Sequence, residues 1–156
     1  MVRRAILAVL LVLPLVAVGC GKSSAEKRKE FFTEARGICG HFSRLQNDVR
    51  FPEGNPLSAQ MTHVSRAQWG LALNQIVNYG RQEVRGLRKL KAPKDIGDKF
   101  EQLLDMKDSA FNDLAKAADA AKRNRISEIR APTVAGRAKL TQAGKLANDV
   151  DLKVCG

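Results

Sequence analysis

Three cysteines, two histidines and a run of arginines hold the groups best suited to chemistry in this chain of 156 residues. Thiols can crosslink, ligate a metal, exchange disulfides or accept an acyl group, and spacing discriminates among these. Cys39 and Cys155 are far apart, whereas redox pairs and zinc sites use close Cys-x-x-Cys spacing. An even pair in an oxidising compartment reads as a structural disulfide. A bond between them closes a loop of about 116 residues, a constraint worth roughly 4 to 5 kcal/mol on the chain-entropy argument. The histidines stand alone. His41 follows Cys39 by two, but a c-type haem needs Cys-x-x-Cys-His, and no glutamate has a histidine three residues later, as a di-iron bundle requires. His63 has no partner either. Neither a Gly-x-Ser-x-Gly elbow nor a phosphate-cradling glycine loop is present. The sequence therefore predicts no catalytic residues, no metal and no cofactor. What remains is electrostatic: Arg81, Arg85, Arg88 and Lys89 recur at three and four residues and predict a positive stripe, with Arg123, Arg125 and Arg130 as a second cluster. Guanidinium groups match phosphate geometry. Glu83, Asp95, Asp98 and Glu128 intervene and offset part of this charge.

Cys20 has a different setting. Arg3 and Arg4 precede an apolar run from Ala5 to Val18, and Gly19 separates that run from the thiol. A charged start, a short apolar segment and a small-residue exit make an export signal. The run holds 14 residues and includes Pro14, against about 20 for a spanning helix. The stretch Val16-Ala17-Val18-Gly19-Cys20 resembles the lipobox of bacterial prolipoproteins, with Ala17 where leucine is commoner. That resemblance implies cleavage before Cys20, acylation of its sulfur with fatty chains such as palmitate, and a cell-envelope address on the extracytoplasmic side of a bacterial membrane. The division it predicts is a signal peptide over 1–19, a polar tether over 20–27 and a helical domain over 28–156. Two acyl chains hold such a domain where one holds it only marginally.

Loss of 1–19 removes two arginines and no acid, so the formal charge falls from +11 to +9. A charge of that sign favours anionic partners such as lipid headgroups or polyanionic wall polymers. Nucleic acid is not expected, because single-strand binding needs aromatic stacking platforms and Trp69 and Tyr79 read as core residues.

Helical periodicity organises the remainder, and no period-two alternation supports a strand. Phe31, Phe32, Ala35, Ile38, Cys39, Phe42, Leu45 and Val49 share a face of a first helix over about 25–51. Two prolines and Gly54 stop it, and Ser58 is the predicted N-cap of a second helix reaching about Lys91. The second helix turns Met61, Val64, Trp69, Leu73, Ile76, Val77, Val84, Leu87 and Leu90 inward. Gly70, Gly80 and Gly86 within it read as places for close helix approach. A third helix follows Pro93 with Ile96, Phe100, Leu103, Leu104, Phe111, Leu114, Ala115 and Ala118 inward. The fourth, over about 125–149, either kinks at Pro132 or restarts there, the kink being preferred. Its inward positions are Val134, Ala138, Thr141, Leu146 and Val150.

The predicted fold class is all-α, a four-helix up-down bundle. The early Cys39, the Leu90-Lys91-Ala92-Pro93 corner and the ending Val154-Cys155-Gly156 resemble small bacterial helical lipoproteins. That resemblance implies a fold and an address and carries no activity with it. The functional expectation is a non-enzymatic envelope lipoprotein, a structural or protein-interaction module whose partner is the membrane, with an envelope protein or anionic polymer besides. The alternative is a binding module for anionic envelope ligands using the arginine stripe.

Overall fold

A computed structural model of the protein describes residues 22–156; Cys20 and the segment 1–19 lie outside the described residues. Four α-helices and two short 3₁₀ turns make up the described chain, with no strand among the described residues. Helix α1 spans Ser24–Asn47, α2 His63–Leu87, α3 Gly97–Lys122 and α4 Arg130–Asp149; the 3₁₀ turns are Ile126–Glu128 and Lys153–Cys155.

The first helix starts inside the segment expected to be tether. Ser23 caps it: its hydroxyl accepts from the Glu26 amide at 3.2 Å, while the Glu26 carboxylate accepts from the Ser23 amide at 2.7 Å. This reciprocal box satisfies two amides that a helix start leaves without partners. The second helix starts later than Ser58. Thr62 is its cap, accepting from the Ser65 amide at 3.1 Å; before it the carbonyls of Pro56, Ser58 and Met61 are turned onto the buried Arg66 guanidinium, and that of Ser58 closes a tight turn with the Met61 amide instead of a helical bond. It ends at Leu87 rather than Lys91, since Lys89 and Leu90 close tight bonds to Gly86 and Leu87 ahead of Pro93, which disfavours helical residues before it.

The single helix expected over 125–149 is divided into a 3₁₀ turn and α4. Pro132 is the third residue of α4, in the first turn, where a missing N–H removes no helical bond. That placement needs no kink. Asn124 and Asp151, both at φ 58°, reverse the chain after α3 and α4, and the amides of Arg125 and Leu152 return to the carbonyls of Ala120 and Ala147 at 2.8 Å. Short polar residues tolerate this left-handed conformation best after glycine.

Each helix packs on the next, and the last 3₁₀ turn lies against both α1 and α4. Contacts descend along one helix as they rise along its neighbour. From α2 to α3 they run Gly70 to Ala118, Gly80 to Phe111, Glu83 to Lys107 and Arg88 to Asp105. From α3 to α4 they run Lys99 to Asp149, Asp113 to Lys139 and Leu114 to Gly136. Two glycines permit the α2–α3 approach. A Cβ on Gly70 would lie 2.6 Å from the Ala118 carbonyl oxygen, and one on Gly80 would lie 2.0 Å from the Phe111 ring.

The core runs through Phe31, Val77, Leu87, Phe100, Leu103, Leu104 and Phe111. Two predicted faces are rotated. Val64 is 67% and Val134 60% exposed, and Ala138 and Thr141 face solvent as well. On α4 the buried residues are Gly136, Ala143 and Ala147, because the smallest side chains bring this helix closest to α3 and to the C-terminal turn.

Candidate functional site

Cys39 and Cys155 are joined by a disulfide, and both residues are buried. Cys39 faces inward because it continues the stripe of Phe31 and Ala35 on α1. Cys155 reaches it because the left-handed Asp151 folds the chain back and the Lys153–Cys155 turn docks on α1. Arg36 of α1 holds that reversal from outside, with Nη2 2.8 Å from the Asp151 carboxylate and 3.1 Å from its carbonyl oxygen.

Two charged residues lie beside this bond: Lys107, not singled out from the sequence, and Glu83, which was expected to offset the arginine stripe and is instead turned inward onto Lys107. Glu83 on α2 and Lys107 on α3 are 3% and 6% exposed. The Lys107 ammonium donates to Glu83 Oε1 at 2.7 Å and to the Cys155 carbonyl oxygen at 2.6 Å. The Glu83 carboxylate, Cys39 Sγ and Cys155 Sγ all lie within 4.8 Å of one another. Burial raises the Glu83 carboxyl above its ordinary value, and the adjacent Lys107 cation pulls it partly back. Because the two sulfurs are bonded to each other, neither offers a thiolate donor to a metal. The cluster is a disulfide backed by an ion pair, and its lysine ties the main chain of the C-terminal turn to α3. A sequence signal for both charges existed: Lys107 continues the inward spacing of Leu103 and Phe111, and Glu83 that of Gly80 and Leu87.

A third buried charge, Arg66, organises the opposite end. Besides the three carbonyls named above, it donates to Asn124 Oδ1, so one guanidinium joins the loop before α2 to the reversal after α3. Arg66 occupies the inward place that Val64 was expected to fill.

The arginine stripe is less free than its spacing implies. Arg81 donates to Asn112 Oδ1 at 2.8 Å, and Arg88 pairs with Asp105 at 2.8 Å, so both are engaged by α3. Arg85 and Lys89 are exposed and have no ion-pair partner among the described residues. Lys89 lies beyond the end of α2, off the helical stripe. Arg123 and Arg125 of the second cluster reach Asp119 and Glu128. His41 and His63 are both at the surface. His41 stacks edge-on to Phe42, ring centroids 5.0 Å apart. Trp69 is half-buried against the Phe51 ring at 5.6 Å. No helix among the described residues is long and apolar enough to cross a membrane.

Comparison with protein-family models, with curated proteins and with solved structures finds no match for the chain.

Proposed function

We propose that the chain is a non-enzymatic envelope lipoprotein: an up-down four-helix bundle, moored through Cys20 on the extracytoplasmic side of a bacterial membrane, that serves as a structural or protein-interaction module. The observation that carries this reading is the buried Cys39–Cys155 disulfide, which suits a compartment where such bonds persist. The descending order of helix contacts supports the up-down arrangement. The start of α1 at Ser24 supports mooring close to the surface, since four residues from Cys20 reach at most about 14 Å.

Metabolic labelling with an alkyne-bearing palmitate tests the anchor. Label is expected on the native protein and absent from the Cys20→Ala variant. Recovery of unlabelled, full-length chain with free thiols from the soluble cytosol overturns the reading.

A further inference from the structure

Five lysines gather at one end of the bundle without a carboxylate to hold them. The residues 22–30 carry four cations and two acids, and the corner 89–99 carries the same balance. The Arg28–Asp95 pair at 2.5 Å joins the two segments. Lys22 is paired with Glu30, and Lys99 lies 3.9 Å from Asp149. That leaves Lys27, Lys29, Lys89, Lys91 and Lys94, all exposed, without an ion-pair partner among the described residues. At the opposite end Lys122, Arg123 and Arg125 reach Asp119 or Glu128, and exposed cations there without an ion-pair partner among the described residues, such as Arg50 and Arg130, are arginines on separate segments.

Two cavities open between these segments. One of 340 Å³ has Phe31, Leu90 and Ala92 in its wall, with Lys27, Lys91, Glu30 and Glu34 around it. Its neighbour of 510 Å³ lies over the first turn of α1, lined by Ser24, Ala25, Pro93 and Lys94 and again by Lys27 and Lys91. The rim of the first is balanced, two lysines against two glutamates, whereas the second, which also carries the paired Arg28 and Asp95, keeps Lys27, Lys91 and Lys94 in excess; that excess beside an apolar wall suits a phosphodiester with the start of its acyl chain.

We propose that this end of the bundle is a docking surface for anionic phospholipid headgroups of the membrane that carries the anchor, with Lys27, Lys91 and Lys94 as its principal contacts. The inference rests on the reading of Cys20 as the acylated residue, because only a mooring so near Ser24 turns this end, rather than the other, toward the bilayer. Charge complementarity selects the occupant: lysines at a membrane surface favour the bound state by about fivefold each. The docked bundle stands with α3 pointing away from the membrane, and its far half is free for other partners.

The test uses the mature protein in vesicles of neutral phosphatidylcholine and in vesicles with phosphatidylglycerol added, with amine acylation read residue by residue by mass spectrometry. Lys27, Lys91 and Lys94 are expected to label about fivefold more slowly or less on the anionic vesicles. The protection should vanish at high salt, where the Debye length shrinks to about 3 Å. Lys116, 17 residues and so about 25 Å along α3 from Lys99, is expected to label alike on both. The Lys27→Gln/Lys91→Gln/Lys94→Gln variant, which alters only exposed side chains, should remove the headgroup dependence, read as equal labelling of Lys29 and Lys89 on both vesicles. Equal labelling of native Lys27, Lys91 and Lys94 on both vesicles, with the protein floating on both, overturns the surface and leaves the anchor standing. Flotation on anionic vesicles alone, reversed by salt, removes the anchor, and it supports the surface where Lys27, Lys91 and Lys94 are the protected lysines and overturns it where they label as in solution; flotation on neither overturns both.

Discussion

Removing one partner of the buried Glu83–Lys107 pair has a predictable and asymmetric effect. At 2.7 Å and an effective dielectric of 20, the attraction is about 6 kcal/mol, and it is set against several kcal/mol of lost hydration for each ion. The pair therefore adds little net stability, but an orphaned charge in its place is expensive. Glu83→Leu leaves an ammonium with only the Cys155 carbonyl and should lower unfolding stability by about 3 to 5 kcal/mol. Lys107→Met leaves a carboxyl that can take up a proton, and it frees the C-terminal turn. Its loss should be of similar size at neutral pH and smaller in acid. The sign follows from linkage: burial already raises the Glu83 carboxyl above 4.5, so above that pH the native state holds more proton than the unfolded chain. Stability then falls as pH rises from 4.5 through the raised value, and without Lys107 that fall should be steeper. The double variant should recover most of the loss, short of about 1 to 3 kcal/mol for the Cys155 carbonyl left without a donor. Urea unfolding of all four proteins with the disulfide intact gives the coupling energy directly. Single losses under about 1 kcal/mol with no coupling would refute the claim that these charges meet in a dry interior.

Other perturbations separate the remaining interactions. Cys39→Ser should cost roughly 4 to 5 kcal/mol, and reduction of the native protein should give the same shift in urea midpoint; an unchanged midpoint would show that the crosslink constrains nothing. Gly80→Ala should destabilise by about 1 to 3 kcal/mol or more, since its methyl meets the Phe111 ring. Gly37→Ala, where nothing lies within 4 Å, should stabilise by roughly 0.5 to 1 kcal/mol, both read from the thermal midpoint. In acid, Asp113 and Asp95 are held below 3.8 chiefly by their hydrogen bonds from Lys139 and Arg28. Their contributions are present above 3.8 and lost as pH falls through the lowered values, a limb that Lys139→Gln should flatten in an acid titration followed by circular dichroism.

Helices and crosslink were legible in the sequence for physical reasons. Phe31, Ala35 and Cys39 on α1, and Phe100, Leu103, Leu104, Phe111 and Leu114 on α3, repeat at helical spacing because each must reach a core. Cys39 and Cys155 pair because no closer thiol competes among the described residues. The face of α4 was not legible. Val134 looks more apolar than Gly136, yet Gly136 and Ala143 are buried, because contact here is decided by how near the backbones come. A Cβ on Gly136 would stand 2.7 Å from Leu114 Cγ, so this position selects for the absence of a side chain, which hydrophobicity does not register.

The buried charges were missed for a related reason. Each cation lies on an apolar stripe, and each points at main-chain carbonyls of a segment that is not α-helical. Arg66 takes those of Pro56, Ser58 and Met61, and Lys107 takes that of Cys155. A main-chain carbonyl outside a helix lacks the amide four residues on that would otherwise satisfy it, and leaving one bare away from water costs about 1 to 3 kcal/mol. A long cationic side chain from a neighbouring helix supplies the missing donor. The choice of arginine or lysine at these places thus answers to a loop distant in sequence, here 48 residues away for Lys107 and Cys155, and a pattern read along one helix contains only half of that information. Arg66→Met should therefore loosen the loop of residues 51–62 before it loosens α2. Amide exchange should quicken at Ser58 and Met61 while Val77 keeps its protection, and a uniform rise across α2 would contradict the assignment of Arg66 to the loop.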